Sequence, residues 1–162
     1  LSDFQRWKRV SEIIKFVSHS PQETMDFAEK FGELLKAGDI IAYTGGLGAG
    51  KTTFTRGLSE GLGLGDEVTS PTFALVNEYH GEKISLYHFD MYRIQSADDL
   101  ETTGFYDYPS ESSVFAVEWS ENIAGALPEN TIFVEIRHID DESREITIKI
   151  PKEDERFENF RN

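Results

Sequence analysis

The stretch Thr44–Thr53, TGGLGAGKTT, has the residue types and the spacing of a phosphate-binding loop. Gly45, four further residues and then Gly50-Lys51-Thr52 satisfy the Walker A pattern. Glycines allow backbone conformations that side chains block, so successive N–H groups can face phosphate oxygens. The Lys51 ammonium would neutralise the β- and γ-phosphates, and the Thr52 hydroxyl would bind Mg²⁺. The sequence therefore predicts a nucleoside triphosphate site, against the alternative of a glycine-rich turn that matches by chance.

The predicted nucleotide contacts in this loop are Leu47, Gly48, Ala49, Gly50, Lys51, Thr52 and Thr53. Lys51 is also assigned a catalytic role and Thr52 a metal-binding one, and Thr53 either caps the loop or touches the α-phosphate.

Two carboxylates close apolar runs that are typical of strands. Asp90 ends ISLYHFD and Glu118 ends SVFAVE. Parallel strands deliver such residues to the carboxyl edge of a sheet, where nucleotides bind, and a Walker A site needs a carboxylate for its metal or the metal's water shell. Asp90 is predicted to be catalytic and Glu118 to bind the metal. Which of them is the principal metal carboxylate stays open, and either alone could be an ordinary carboxylate at a strand end.

His88 lies two residues before Asp90, so on a strand the two side chains point to the same face. His88 either orients Asp90 or is a histidine at the edge of the core.

The elements that must position these residues follow from local pattern. The predicted strands are 12–18, 39–44, 73–79, 83–92 and 113–119, followed by two half-buried strands around the turn DDES in which isoleucine and valine alternate with other residues. Helices are predicted from the Ser20 cap to a stop at Gly38, over 51–62, and from the cap Ser96. This order predicts a three-layer α/β P-loop NTPase with a mixed, roughly seven-stranded sheet, parallel around the glycine loop and antiparallel at the hairpins.

Length and charge limit the organisation and the partners. The 162 residues suit one domain, predicted as an N-terminal extension 1–11, an ATPase domain 12–151 and an acidic tail 152–162. The net charge of −14 comes without a basic patch, which argues against direct RNA binding. The acidic runs are either a solvated surface or a docking face for a basic partner.

The absence of cysteine excludes disulfides. No apolar run approaches the ~18 residues of a membrane span, and LSDFQRWKRV has no apolar signal region. A cytoplasmic protein without a membrane segment is the expectation.

The nucleotide is predicted to be ATP. The chain has no Asn-Lys-x-Asp for reading guanine, and Asp90 is followed by MYR rather than by the Asp-x-x-Gly pattern of a GTPase. A small-metabolite P-loop kinase is the alternative, although the loops offer few arginines for a lid. A nucleotide-dependent binding module with incidental hydrolysis is a third interpretation.

Four segments together resemble one protein family. GGLGAGKTTFTRGL, TSPTFALVNEY, LYHFDMYR and AVEWSE resemble the bacterial TsaE (formerly YjeE) ATPases, in order and spacing, over about residues 20–150. The resemblance implies an α/β P-loop fold with weak intrinsic ATPase activity. It also implies partnership with TsaD and TsaB, whose complex transfers a threonylcarbamoyl group to adenosine in tRNA, so that tRNA is met only through the complex.

The resemblance also implies roles for single residues. Lys51 and Thr52 match the family's P-loop lysine and Mg²⁺-binding threonine, Asp90 its Walker B-like aspartate, and Glu118 its Mg²⁺ glutamate. Further implied nucleotide contacts are Trp119, Arg144 and, in a switch-like loop TSPTF, Ser70 and Thr72. An exposed hairpin arginine and a plain loop around Pro71 are the simpler interpretations of the last three.

Overall fold

A computed structural model of the chain describes residues 10–45, 50–65, 76–96, 98–100, 105–151, 154–158 and 160. Strands and α-helices follow in the order β1 Val10–Ser18, α1 Pro21–Gly32, β2 Ile40–Thr44, α2 Lys51–Gly61, β3 Val76–His80, β4 Ser85–Asp90, β5 Ser113–Glu118, β6 Ile132–His138 and β7 Arg144–Pro151. In the described residues, 3₁₀ segments lie at 98–100, Phe105–Asp107, Ser110–Ser112 and Ser120–Ala126.

The strands form one seven-stranded sheet in the order β1-β7-β6-β2-β5-β4-β3. β2 is parallel to β5 and to β6, and β4 is parallel to β5. The remaining pairs, β1 with β7, β6 with β7 and β3 with β4, are antiparallel. The predicted mixed α/β sheet is therefore confirmed, and the carboxyl ends of β2, β4 and β5 meet at one edge.

The two faces of the sheet carry separate hydrophobic cores. Along β2, Ile41 and Tyr43 belong to the core under α1 and α2, whereas Ile40 and Ala42 belong to the opposite core. The opposite core is closed by apolar residues of the 3₁₀ segments, such as Phe105 and Ile123. The three predicted layers are present, and in the described part of the chain 3₁₀ turns form the third one.

Helix α1 begins as predicted and ends earlier. Ser20 Oγ accepts from Glu23 N at 3.1 Å, and Glu23 Oε2 accepts from His19 N at 2.8 Å, which satisfies two backbone donors at the start of the helix. The predicted stop at Gly38 is wrong, since the helix ends at Gly32. Gly38, with φ +94°, instead shapes the turn into β2, where its N–H donates to Ser113 O at 2.8 Å.

Strand β7 is not half-buried as predicted. Its isoleucines face the helical core, but Thr147 and Lys149 on the other face are each only 6% exposed. On this face Lys149 is paired with Ile13 and Phe133, and Thr147 with Lys15 and Glu135, so long side chains of both neighbouring strands flank them. The short helix predicted from Ser96 is reduced, within the described residues, to a single 3₁₀ turn at 98–100.

The described part of the predicted acidic tail packs on the domain. Phe157 is fully buried and stacks on Phe31, with ring centroids 4.8 Å apart. Arg156 forms a forked pair with Asp39, from Nη1 to Oδ2 at 2.7 Å and from Nη2 to Oδ1 at 3.0 Å. Its Nη2 also donates to Asp154 Oδ2 at 2.7 Å. These contacts fix the segment after β7 to the loop that precedes β2.

None of the helices in the described residues is long and apolar enough to cross a membrane.

The close packing of α1 and α2 yields a stability prediction. A Cβ added at Gly57 of α2 would lie 2.5 Å from both Ala28 Cβ and Met25 O of α1. We expect Gly57→Ala to lower the free energy of unfolding by about 1–3 kcal/mol, because the helices must move apart. The matched control is Gly125→Ala, where an added Cβ meets nothing within 4 Å. Equal unfolding midpoints in urea for the two variants would contradict this packing.

Candidate nucleotide site

Glycines hold both described ends of the Walker A loop. Gly45 follows β2 with φ +119°, and a Cβ there would lie 2.6 Å from Ile136 O. Gly50 has φ +103° and immediately precedes α2. Both positions need a residue without a side chain. The strand–loop–helix context expected of a phosphate-binding loop is therefore present, while the predicted contacts Leu47, Gly48 and Ala49 lie outside the described residues.

Lys51 is the first residue of α2, so its side chain lies at the positive end of the helix. The residue is only 5% exposed, and its ammonium lies 5.2 Å from the centroid of the Trp119 ring. An aromatic face at this distance stabilises a cation that has little water around it. Thr52 and Thr53, the next two predicted contacts, are half-buried on the same first turn.

The first turn of α2 is fastened to β2 by buried hydroxyls. Thr55 Oγ1 donates to Lys51 O at 2.8 Å and lies 2.7 Å from the hydroxyl of Tyr43. Burial raises the pKa of the Tyr43 hydroxyl, and the negative charge of Glu118 raises it further. Tyr43 therefore stays a neutral hydrogen-bonding group, and it fixes the lysine-bearing turn against the sheet.

The two predicted carboxylates lie side by side at the sheet edge. Asp90 and Glu118 are the last residues of β4 and β5 and are paired in register. Side chains alternate along a strand, and Leu86, Val114 and Ala116 of the same alternation belong to the helical core. Asp90 and Glu118 thus face the layer that carries Lys51.

The carboxylates differ in their surroundings. Asp90 is half-buried and its Oδ1 accepts from Tyr92 N at 2.9 Å. Glu118 is only 8% exposed, and its buried Oε2 has no hydrogen-bond partner within the described residues. A buried carboxylate oxygen without a donor is suited to a cation.

His88 approaches Glu118 rather than Asp90. Its Nε2 lies 2.7 Å from Glu118 Oε2, and the histidine is completely buried. The distance is that of a hydrogen bond, but the angle is not, so the two groups are adjacent without being aligned. Of the two interpretations of His88, the structure shows a buried histidine whose contact is with the carboxylate of the neighbouring strand.

Trp119 follows Glu118 in the left-handed conformation, with φ 58° and ψ 40°, which few non-glycine residues adopt. Its indole meets the Tyr92 ring edge-on at a centroid distance of 5.0 Å. The chain beyond it is held by Ser120 Oγ, which donates to Tyr43 O at 2.8 Å, and by Asn122 Nδ2, which donates to Met91 O at 2.7 Å. Sequence reasoning missed Tyr43, Tyr92, Ser120 and Asn122, although Tyr92 lies within the LYHFDMYR segment.

Arg144 lies beside the end of the Walker A loop. A Cβ added at Gly50 would be 3.8 Å from Arg144 Nε, so the guanidinium group borders this glycine. Arg144 Nη1 donates to Asp140 O at 2.8 Å and to Ser143 O at 2.9 Å, both in the turn that precedes β7. The structure therefore places Arg144 next to Gly50, whereas the predicted contacts Ser70 and Thr72 lie outside the described residues.

The residues present fit a Mg²⁺ ion that a nucleotide helps to hold. The described residues contain no group of three histidine, aspartate or glutamate side chains that could bind a metal by themselves. Mg²⁺ at phosphate-binding loops instead takes one or two protein oxygens together with phosphate oxygens and water. The hydroxyl of Thr52 and the unpartnered Glu118 Oε2 provide such oxygens.

Comparisons with known proteins point to one protein family. The profile of the family described as "Threonylcarbamoyl adenosine biosynthesis protein TsaE" matches residues 18–146. Two bacterial proteins named tRNA threonylcarbamoyladenosine biosynthesis protein TsaE are similar to this chain. The one from Treponema pallidum is 41% identical over 135 residues, covering 83% of this chain and 99% of the relative. The one from Bacillus subtilis is 40% identical over 134 residues, covering 83% of this chain and 84% of the relative.

A solved structure supports the same assignment. The crystal structure of Bacillus subtilis YdiB matches with a TM-score of 0.67 and 34% sequence identity, and the match covers 86% of each chain. The resemblance carried by the four sequence segments is confirmed: this chain belongs to the TsaE family of threonylcarbamoyladenosine biosynthesis proteins.

Proposed function

We propose that this protein is a Mg²⁺-dependent ATPase that supports threonylcarbamoyladenosine formation in tRNA. The observation that carries the proposal is the placement of Lys51. It starts α2 and lies 5.2 Å from the ring of Trp119, at the sheet edge where two parallel strands end in Asp90 and Glu118. Membership of the TsaE family supplies the biological setting. In this role ATP binding and hydrolysis are coupled to turnover of a cytoplasmic complex with TsaD and TsaB.

The proposed reaction is the attack of water on the γ-phosphorus of ATP. A bond forms between the water oxygen and phosphorus, the bond from the β,γ-bridging oxygen to phosphorus breaks, and ADP and phosphate leave. Lys51 and the amide groups at the start of α2 would stabilise the charge on the transferring group. Thr52 and Glu118 would hold Mg²⁺, which supplies further positive charge to the phosphate oxygens.

Asp90 would orient the attacking water or the water shell of the metal. Its Oδ1 is held by Tyr92 N, which fixes the direction of the other carboxylate oxygen. Arg144 borders Gly50, but its Nη1 is engaged by the turn carbonyls of Asp140 and Ser143. Hydrolysis by the protein alone is therefore expected to be slow and to be accelerated by the partner complex.

The charge of the protein supports a protein partner rather than RNA. A net charge of −14 repels the phosphate backbone of tRNA. In the proposed role TsaD and TsaB hold the tRNA, and this chain meets it only through them.

Removal of the Lys51 ammonium tests the nucleotide site. We expect Lys51→Ala to weaken ATP binding by about 100-fold or more, about 2.8 kcal/mol, because the phosphates lose their nearest buried cation. Isothermal titration calorimetry measures this loss. Lys30→Ala, which removes an exposed lysine from the last turn of α1, is the matched control. Unchanged ATP affinity in Lys51→Ala would remove the nucleotide assignment.

Removal of Arg144 tests whether the turn before β7 takes part in binding. We expect Arg144→Ala to weaken ADP binding by roughly 5–20-fold, a loss of about 1–2 kcal/mol, because a half-buried cation beside Gly50 is lost. Arg137→Ala removes an exposed arginine of β6 that pairs with Glu145 at 3.0 Å and should leave ADP affinity unchanged. Equal calorimetric affinities for both variants would show that Arg144 does not contact the nucleotide.

Coupling to partners is tested by the rate of phosphate release. We expect the isolated protein to hydrolyse γ-labelled ATP slowly, and TsaB and TsaD to accelerate this at least about 10-fold. Asp90→Ala should abolish both the basal rate and the partner-stimulated rate. The label should appear as inorganic phosphate. Full-speed hydrolysis that TsaB and TsaD leave unchanged would refute the coupling, and label on a small metabolite would indicate a kinase instead.

A further inference from the structure

His88 is a completely buried polar residue that the proposed reaction does not yet use. It lies on β4, two residues before Asp90, and therefore faces the layer of α1 and α2. Neither ring nitrogen has a hydrogen bond within the described residues. The nearest charged group is Glu118 of the adjacent strand, at 2.7 Å between Nε2 and Oε2.

Burial without a partner makes a purely structural role costly for this residue. A buried polar group that has lost its water and gained no hydrogen bond destabilises the fold by about 1–3 kcal/mol. An apolar side chain of similar size would fill the same space without that loss. The position therefore points to an interaction that the imidazole is kept for, and Glu118 is the only carboxylate recorded in contact with it among the described residues.

The sheet register explains how His88 reaches Glu118. His88 is paired with Ala116 of β5, and Glu118 is the next residue of β5 on the same face. The methyl group of Ala116 is small, so the imidazole can extend past it toward the carboxyl group. The contact is thus diagonal across two parallel strands, and both backbones are fixed by the ladder of β4 with β5.

We propose that His88 is a positioning residue for Glu118. The Nε2–H group donates to one lone pair of Glu118 Oε2, which fixes the rotation of the carboxyl group and leaves its remaining lone pairs for the metal ion. The two atoms are already at hydrogen-bond distance, so only a change of angle separates the contact from a hydrogen bond. This inference rests on the proposed function, because it assigns His88 to the metal side of that site.

Outer partners of this kind have a measurable effect on metal binding. Hydrogen bonds to a metal-ligating carboxylate orient it, and their loss typically weakens metal affinity by about 10–100-fold. The effect falls on the metal and leaves nucleotide contacts that do not involve the metal unchanged. The affinity for Mg²⁺ and the affinity for the nucleotide without metal therefore separate a positioning role from a general packing role.

Three substitutions of His88 distinguish the positioning role from the packing role by where they place a side-chain nitrogen. The side-chain nitrogen of glutamine can occupy the place of Nε2, whereas that of asparagine lies where Nδ1 lies, and leucine offers no donor. His88→Gln should therefore retain the donor to Glu118. His88→Asn and His88→Leu should lose it while filling a comparable buried space.

The measurement is ADP binding by calorimetry across a Mg²⁺ series and in EDTA, with the full-length chain. Mg²⁺ is expected to increase the affinity for ADP. We expect His88→Asn and His88→Leu to raise the Mg²⁺ concentration that gives half of this increase by about 10–100-fold. His88→Gln should stay within about 3-fold of the wild type, and ADP affinity in EDTA should be the same in all four proteins. Mg²⁺ requirements equal to the wild type in every variant would overturn the inference. A loss of ADP affinity in EDTA that accompanies every substitution would overturn it as well.

A second comparison tests whether the effect of His88 passes through Glu118, and His88→Asn, which keeps a polar side chain, carries it if His88→Leu does not fold. In a Glu118→Gln background, His88→Asn and the parent should have the same Mg²⁺ requirement, because the carboxylate that His88 orients is gone. A further increase caused by His88→Asn in that background would contradict the inference. If ADP binding by the wild type itself does not depend on Mg²⁺, the proposed metal site falls and the inference falls with it. A normal wild-type dependence with unchanged variants removes the inference alone.

Discussion

The parallel alignment of β2 with β5 and of β5 with β4 is the constraint on which the site depends. It sends the carboxyl ends of three strands to one edge, where β2 continues into the glycine loop and the other two end in Asp90 and Glu118. α2 then returns over the sheet with Lys51 as its first residue. Residues that are remote in sequence become neighbours because of this alignment, and no local pattern of the chain would bring them together.

Burial on the helical side determines the electrostatics of this edge. Lys51 and Glu118 are each less than a tenth exposed, so water screens their charges poorly, and His88 beside Glu118 is completely buried. The Glu118 carboxylate acts on Tyr43, whose pKa it helps to raise, and it has no hydrogen-bond donor aligned with its Oε2 in the described residues. A buried carboxylate is stable only when a cation or a donor compensates it. Within the described residues, the His88 imidazole lies next to this carboxylate, and a metal ion is the further compensation that we propose.

The sequence predicted the elements that local chemistry determines. Three such features are found where they were predicted: Gly45 and Gly50 at the ends of the loop, the Ser20 cap, and the alternation of Ile132, Val134 and Ile136. Gly38 was misassigned as the end of α1, because a glycine with positive φ serves a turn into a strand equally well. The buried face of β7 depends on its place between β1 and β6, which periodicity does not encode.

The candidate site was predictable to a similar degree. Residue types and spacing identified Lys51, Asp90 and Glu118, and the resemblance added Trp119 and Arg144. The partner of His88 could not be predicted, since it depends on the register of β4 against β5. Tyr43 was equally hidden, because its role arises from a contact with Thr55 on the helix above it. Leu47, Gly48, Ala49, Ser70 and Thr72 stay predictions.

The acidic character of the chain and its proposed affinity for phosphates are compatible for a structural reason. The turn between β6 and β7 carries Asp140, Asp141 and Glu142 close to Arg144. Asp140 Oδ1 accepts from the backbone N–H groups of Glu142 and Ser143, and these bonds lower the pKa of Asp140. The carboxylate is thus used to shape the turn. The carbonyl groups of that turn hold the Arg144 guanidinium beside Gly50, so acidic residues that would repel a phosphate at close range instead help to place a cation next to the phosphate-binding loop.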